Sequence, residues 1–85
     1  MKVRKRPKNV EARVLTEQEY YKIKKWIIAD IPSMFKVKQD KKRGLLVPTV
    51  MGKDLARYDD WIIREAPGVF TVHTPQEFFR NYESL

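Results

Sequence analysis

Hydrophobic and polar positions alternate near the start of the chain. Between residues 9 and 15, valine and alanine occupy every second position and charged residues lie between them. A period of two is typical of a strand with one buried face. Residues 1–8 before this strand are rich in lysine and arginine and contain Pro7, so we expect a basic, extended N-terminal arm.

The period lengthens to that of a helix after Thr16. Thr16 and Glu19 have the spacing of a capping box, in which each side chain binds the backbone amide of the other residue. Apolar residues then recur at intervals of three and four, at Tyr20, Ile23, Ile27 and Ile31. One apolar stripe of this kind predicts the main helix over residues 17–29, and Pro32 ends it.

Short apolar segments separated by turns follow the helix. They predict strands over residues 34–38, 45–50, 55–58, 61–64 and 69–73. The basic segment 39–44 and residues 51–54 are predicted turns, and Pro48 places its strand at an edge or a bulge. We expect Phe35 to point into the core from the first of these strands.

A second capping box near the C-terminus predicts a short helix over residues 75–81. It joins Thr74 to Glu77, and Pro75 stands at the favoured first helical position. Phe78 and Phe79 cannot both face the core from so short a helix, so we expect one to cover the sheet and the other to form a contact site or a subunit interface. The whole pattern predicts one α+β domain over residues 1–85, with a mainly antiparallel sheet of four to six short strands.

Composition excludes several classes of site. The chain of 85 residues has no cysteine, which rules out disulfides, thiolate zinc sites and cysteine nucleophiles. No apolar run approaches the roughly 18 residues of a membrane span, and no apolar region follows the basic N-terminus. We therefore expect a cytoplasmic protein with no membrane partner.

Charge is distributed unevenly between the two halves of the chain. Residues 1–43 hold 14 basic and 5 acidic residues, a balance of +9, whereas residues 44–85 hold 4 basic and 6 acidic residues, a balance of −2; together these give the formal net charge of +7. Charged residues that served only to keep the surface soluble would not be segregated between the two halves in this way. The asymmetry favours an anionic partner over a merely solvated surface.

Residues with catalytic potential are few. His73 is the single histidine and has no nucleophile or carboxylate at a diagnostic spacing. Asp59 and Asp60 are adjacent and are more typical of a turn than of an acid–base pair. Isolated glycines form no phosphate-binding loop, and no metal-ligand spacing is present. We predict a protein that is not an enzyme and that uses neither a cofactor nor a metal.

Basic residues supply the candidate binding surface. The predicted anion-binding residues are Arg4, Lys5, Arg6, Lys8, Lys36, Lys38, Lys41, Lys42 and Arg43. Tyr21 and Trp26 are the candidates for aromatic stacking or contact, and Tyr21 lies off the apolar stripe of the helix. If the strands over residues 9–15 and 34–38 lie in one sheet, the arm and the basic residues 36–43 join into one patch. Arginine suits bidentate phosphate contact, and an aromatic face can stack on a base.

Three stretches of the chain carry a resemblance to a known family. They are residues 2–7 with 10–12, residues 45–49 before Gly52, and the C-terminal series 60–64, Gly68, 69–70, Pro75, 78–79 and 81–83. In this order they resemble small bacteriophage and prophage proteins of the PGDYG type. The Pro-Gly-Asp of that pattern is here Tyr58-Asp59-Asp60, so the tight Pro-Gly turn of the pattern is lost. The resemblance implies a phage context, and with it a location in the host cytoplasm, and a small sheet domain. It supplies no catalytic residues.

These observations predict a small non-enzymatic phage-type binding protein that acts in counter-defence or host takeover. Its ligand is anionic, and a nucleotide signal and an acidic host protein surface are both left open. A homo-oligomer whose interface completes the site is also left open. The alternative function is sequence-tolerant binding of DNA or RNA, although no motif of a known nucleic-acid-binding domain is present.

Overall fold

The computed structural model describes residues 2–5 and 8–84 of the chain. The fold is α+β, as predicted, and consists of two antiparallel sheets, two α-helices and a 3-10 helix. The elements in chain order are β1 (Lys2–Lys5), β2 (Lys8–Val14), α1 (Tyr20–Asp30), the 3-10 helix (Pro32–Lys36), β3 (Leu45–Thr49), β4 (Gly52–Ala56), β5 (Trp61–Ala66), β6 (Val69–His73), α2 (Pro75–Asn81) and β7 (Glu83–Ser84). The larger sheet has five of the seven described strands, within the predicted four to six, and the separate two-stranded sheet was not predicted.

The larger sheet has five strands and is covered on both faces. Its strand order is β6-β5-β2-β1-β7, and each neighbouring pair is antiparallel. On one face Ile62 joins the core formed with α1, and on the other face Ile63 packs with Phe78 of α2. Successive side chains of a strand point to opposite faces, so two covered faces explain why both neighbours are fully buried.

The smaller sheet is the hairpin of β3 and β4, which packs beside α1 and β6. Leu46 lies opposite Leu55, and the backbone N–H and C=O of Leu46 point away from β4 because they bind the side chain of Gln39. Pro48, two residues further along β3, has its nitrogen on the same outward side. Its missing N–H therefore costs no ladder hydrogen bond, which confirms the predicted edge position.

The predicted strand over residues 34–38 is wrong. Pro32–Lys36 is a 3-10 helix, in which the Met34 N–H donates to the Ile31 carbonyl at 3.0 Å. Met34 is fully buried and Phe35 is 76 % exposed, the reverse of the expected orientation. Apolar residues at 31, 34 and 37 follow a period of three, which suits a 3-10 helix better than the period of two inferred from Phe35 and Val37.

The expected N-terminal arm is instead part of the sheet as far as it is described. Lys2–Lys5 pairs with β2 on one side and with β7 on the other. The main helix begins later than predicted, at Tyr20, because residues 17–19 form a turn. The Thr16 hydroxyl still accepts the Glu19 N–H at 3.2 Å, as the capping box requires.

The C-terminal half follows the prediction closely. β6 and α2 have the predicted bounds, and the Thr74–Glu77 capping box forms both of its hydrogen bonds, at 3.0 and 3.2 Å. β5 continues to Ala66 through a bulge, and β4 begins already at Gly52 where a turn was predicted.

A tight turn is present at Tyr58-Asp59-Asp60, without a Pro-Gly pair. The Asp60 N–H donates to the Arg57 carbonyl at 3.0 Å, which closes a β-turn. Asp59 has a φ of 78°, and aspartate tolerates this left-handed backbone better than most residues. The Asp60 carboxylate also accepts the Arg57 N–H at 3.0 Å. Both aspartates therefore serve the turn, as their adjacency predicted.

Candidate anion-binding site

Five of the predicted cations lie exposed on one segment, which we call the basic turn. It comprises Lys36, Lys38, Lys41, Lys42 and Arg43. The segment leaves the 3-10 helix, reverses direction over residues 41–43 and enters β3. The expected continuity with the N-terminal basic residues depended on a strand over residues 34–38. Since this segment belongs to neither sheet, that basis for one joined patch is wrong.

The other predicted cations lie near the N-terminus. Arg4 and Lys5 belong to β1 and Lys8 to β2, and Arg6 lies outside the described residues. The sheet, rather than an extended arm, therefore fixes the backbone positions of Arg4, Lys5 and Lys8.

The basic turn and the outer face of the β3–β4 hairpin enclose a concavity of about 280 Å³. Its lining residues are Lys38, Gln39, Asp40, Arg43, Leu46 and Leu55. Two cations thus meet two leucines that are only half-buried and that lie directly opposite each other in the hairpin. The arrangement offers positive charge on one side and an apolar floor on the other.

Gln39 holds the basic turn against β3. Its side-chain carbonyl accepts the Leu46 N–H at 2.7 Å, and its side-chain amide donates to the Leu46 carbonyl at 3.0 Å. This pair of bonds replaces the neighbouring strand that β3 lacks on that side. It also satisfies two outward backbone groups of an edge strand, which reduces their availability for pairing with another chain.

Asp40 organises the reversal of the chain. One carboxylate oxygen accepts the Lys42 N–H at 3.1 Å, and the other pairs with the Arg43 Nε at 3.6 Å. Asp40 also accepts the Arg43 N–H at its backbone carbonyl, at 3.0 Å. The Arg43 side chain is 78 % exposed, so this surface ion pair contributes little stability and leaves the guanidinium open to solvent.

Lys41 is anchored by tyrosines. Its ammonium lies 4.7 Å from the ring centroid of Tyr21 and 5.5 Å from that of Tyr20, within cation–π range. The hydroxyl of Tyr58 donates to the Lys41 carbonyl. Desolvation raises the pKa of Tyr58 above its usual value, with the nearby Glu17 carboxylate as the next cause, so the hydroxyl is kept in its donating form.

Tyr21 and Trp26 differ in their availability. Tyr21 is 62 % exposed beside Lys41, as its position off the stripe predicted. Trp26 is half-buried, packs edge-on against Phe70 at 5.2 Å, and carries the Arg13 guanidinium 4.5 Å above its ring. Both aromatics make contacts within the molecule, and Tyr21 is better placed for an external ligand because it is the more exposed.

His73 takes part in a hydrogen-bonded group on the face of the sheet that α2 covers. Its Nε2 lies 2.9 Å from the Thr71 hydroxyl, which in turn lies 3.4 Å from a Glu65 carboxylate oxygen. The hydroxyl of Tyr82 donates to the same oxygen at 2.8 Å. Within residues 2–5 and 8–84, no group of three or more histidine or carboxylate side chains could hold a metal ion.

Sequence reasoning missed Gln39, Leu46, Leu55 and Tyr58. A weak signal came from alternation, since half-buried Leu46 lies between buried Leu45 and Val47. Leu55 lies between exposed Asp54 and buried Ala56, in a strand whose predicted start was three residues too late. The pairing of Gln39 with Leu46 joins residues seven apart through a turn, and no sequence pattern indicates it.

Phe79 is a further exposed aromatic. It is 66 % exposed on α2 while Phe78 is buried, so the prediction that the two residues divide between surface and core is confirmed. The Phe79 ring contacts Trp61 at 6.0 Å between centroids.

Comparison with protein-family models, curated proteins and solved structures finds no match for this chain. None of the helices in the described part of the chain is long and apolar enough to cross a membrane.

Proposed function

We propose that this protein is a small non-enzymatic binding protein that captures an anionic ligand through the basic turn. One observation supports this function above the others: exposed Lys38 and Arg43 meet half-buried Leu46 and Leu55 around a single concavity. Cations there can make charge-assisted hydrogen bonds to an anion, and the leucines supply apolar area for the rest of the ligand.

The biological role that we propose is counter-defence or host takeover. The resemblance to small phage proteins supports this role, in which the protein occupies a nucleotide signal or an acidic host surface. A non-enzymatic mode is supported by the aspartates of the 57–60 turn, because the Asp60 carboxylate is engaged by the backbone of Arg57.

Paired charge removal tests the proposed site. The variant Lys38→Gln with Arg43→Gln removes the two cations that line the concavity. The control Lys22→Gln with Lys25→Gln removes the same charge from exposed positions of α1. Calorimetry would use linear and cyclic nucleotides, an acidic peptide and duplex DNA. We expect at least one ligand to bind, with a loss of tenfold or more in the first variant and about twofold or less in the control.

Two outcomes would contradict this function. No binding by any member of the panel at low salt would remove it. An equal loss in both double variants would show that only the overall charge matters and that the concavity does not.

Sequence-tolerant nucleic-acid binding is the second candidate. Exposed lysines outside the concavity favour it, since Lys22 and Lys25 on α1 and Lys36 and Lys42 on the basic turn extend the positive surface over several elements. For this function the affinity for duplex DNA would fall steeply with salt, with a logarithmic slope of about −0.9 for each phosphate contacted. Both double variants would then lower that slope, which distinguishes this function from the first.

A further inference from the structure

The apolar floor of the concavity narrows the class of ligand. Leu46 and Leu55 face each other as a non-hydrogen-bonded pair on the outer face of the hairpin. Side chains of such pairs lie close together, so the two leucines form one continuous surface. An inorganic anion, or a carboxylate at the end of a flexible side chain, would leave this surface exposed to water. A ligand that carries an apolar body next to its charge would cover it.

The cations of the concavity suit a phosphate group. Arg43 uses Nε for its pair with Asp40, and the two terminal nitrogens of a guanidinium carry its other four N–H donors. Two donors on one edge match two oxygens of a phosphate, and Lys38 adds a second positive charge on the same lining. The one carboxylate of the lining, Asp40, accepts from the Lys42 backbone N–H and pairs with the Arg43 Nε, and the formal charges of Lys38, Asp40 and Arg43 sum to +1.

The size of the concavity matches a ligand with one ring system. Its volume of about 280 Å³ lies at the lower end of the range of small-molecule sites, roughly 300–1,000 Å³. This volume suits one nucleoside-sized body with its phosphate. A duplex or an extended acidic peptide would contact only the rim.

Hydrogen bonds within the molecule hold the walls of the concavity. The two hydrogen bonds of Gln39 hold residues 38–40 beside β3, and the Tyr58 hydroxyl holds the carbonyl of Lys41. A site whose walls are already ordered loses less conformational entropy on binding a small ligand.

We infer that the concavity binds a phosphate ester of mononucleotide size, with the phosphate on Lys38 and Arg43 and the ring against Leu46 and Leu55. This inference rests on the proposed function and specifies its ligand class. Linear and cyclic mononucleotides both carry this chemistry, which is a phosphate ester attached to a compact ring system.

Calorimetry with matched ligands tests the inference. The probes are adenosine and guanosine monophosphates, their cyclic 3′,5′ forms, adenosine, inorganic phosphate, hexyl phosphate and a hexaglutamate peptide. The variants are Arg43→Gln, which removes the guanidinium, and Leu55→Thr, which removes part of the floor but keeps a strand-forming residue. Lys25→Gln is the control, and a urea midpoint for each variant verifies its folding.

We expect a mononucleotide to bind at least tenfold more tightly than adenosine, inorganic phosphate or hexyl phosphate. Arg43→Gln should weaken the affinity for the mononucleotide about tenfold and Leu55→Thr several-fold, whereas Lys25→Gln should leave this affinity unchanged. Hexyl phosphate that binds as tightly as the nucleotides would overturn the requirement for a ring. Binding of the peptide alone, with dependence on Arg43, would overturn this inference and keep the proposed function. If neither these probes nor duplex DNA bind, both this inference and the proposed function are overturned.

Discussion

At the scale of single residues, Gly44 allows the backbone of the basic turn to lie close to the backbone of β4. Gly44, which joins the basic turn to β3, has a φ of 136°, and a Cβ built there would lie 2.0 Å from the carbonyl oxygen of Ala56. Gly44→Ala should therefore destabilise the protein by about 2–4 kcal/mol, because it adds a steric clash to a strained backbone. Urea unfolding at pH 7 measures this change.

Gly52→Ala is the matched control for Gly44→Ala. Gly52 also has a positive φ, 117°, but a Cβ there meets nothing within 4 Å. The loss of stability in Gly52→Ala should therefore reflect backbone strain alone, about 1–2 kcal/mol. Equal losses in the two variants would show that the contact with Ala56 carries no cost.

At the scale of elements, Asp30 ties the end of α1 to the hairpin of β5 and β6. Its carboxylate accepts from the Arg64 side chain and, at 3.0 Å, from the Gly68 N–H. The bond from Arg64, followed by that from Gly68, lowers the pKa of Asp30 below its usual range. A lowered pKa gives stability above the unfolded-state value, about 3.9, and this stability is lost as pH falls through the folded-state value.

Asp30→Asn should consequently destabilise the protein most at neutral pH, and the difference from the natural protein should shrink in acid. Urea midpoints between pH 7 and pH 2.5 measure the effect. The control Glu17→Gln removes an exposed carboxylate elsewhere and should keep the acid step attributed to Asp30. A constant difference across the range would contradict the assignment of that step to Asp30.

At the scale of the whole molecule, three tyrosines on different elements limit stability in alkali. Desolvation raises the pKa of Tyr20, Tyr58 and Tyr82, and the bond from Tyr82 to Glu65 adds to the effect at that residue. A raised pKa favours the neutral form in the folded state. Its contribution is complete below the ordinary tyrosine pKa of about 10, and it is lost as pH rises further.

The protein should accordingly lose stability above about pH 10, and tyrosinate absorbance should increase together with unfolding. Tyr82→Phe should lose less stability between pH 9 and pH 11.5 than the natural protein, although it is weaker at pH 7 by about 1–2 kcal/mol because the bond to Glu65 is gone. Parallel stability curves for the two proteins would contradict this account.

The fold class could be predicted because most elements are encoded locally. The alternation around Ala12, the stripe of Tyr20, Ile23 and Ile27 and the Thr74 capping box each depend on residues within one or two turns of each other. The segment over residues 34–38 was predicted wrongly since Met34 and Phe35 are both apolar. Only packing against the core selects which of them is buried.

The candidate site could be predicted only in part, for the same reason. The sequence by itself determined the sign of the surface, the cations of the basic turn and the exposure of Tyr21. The tertiary structure alone decided that Lys38 and Arg43 share a concavity with Leu46 and Leu55, and that Tyr58 and Gln39 hold its wall. Charge and periodicity are properties of neighbouring residues in the chain, whereas a concavity depends on which distant elements the core brings together.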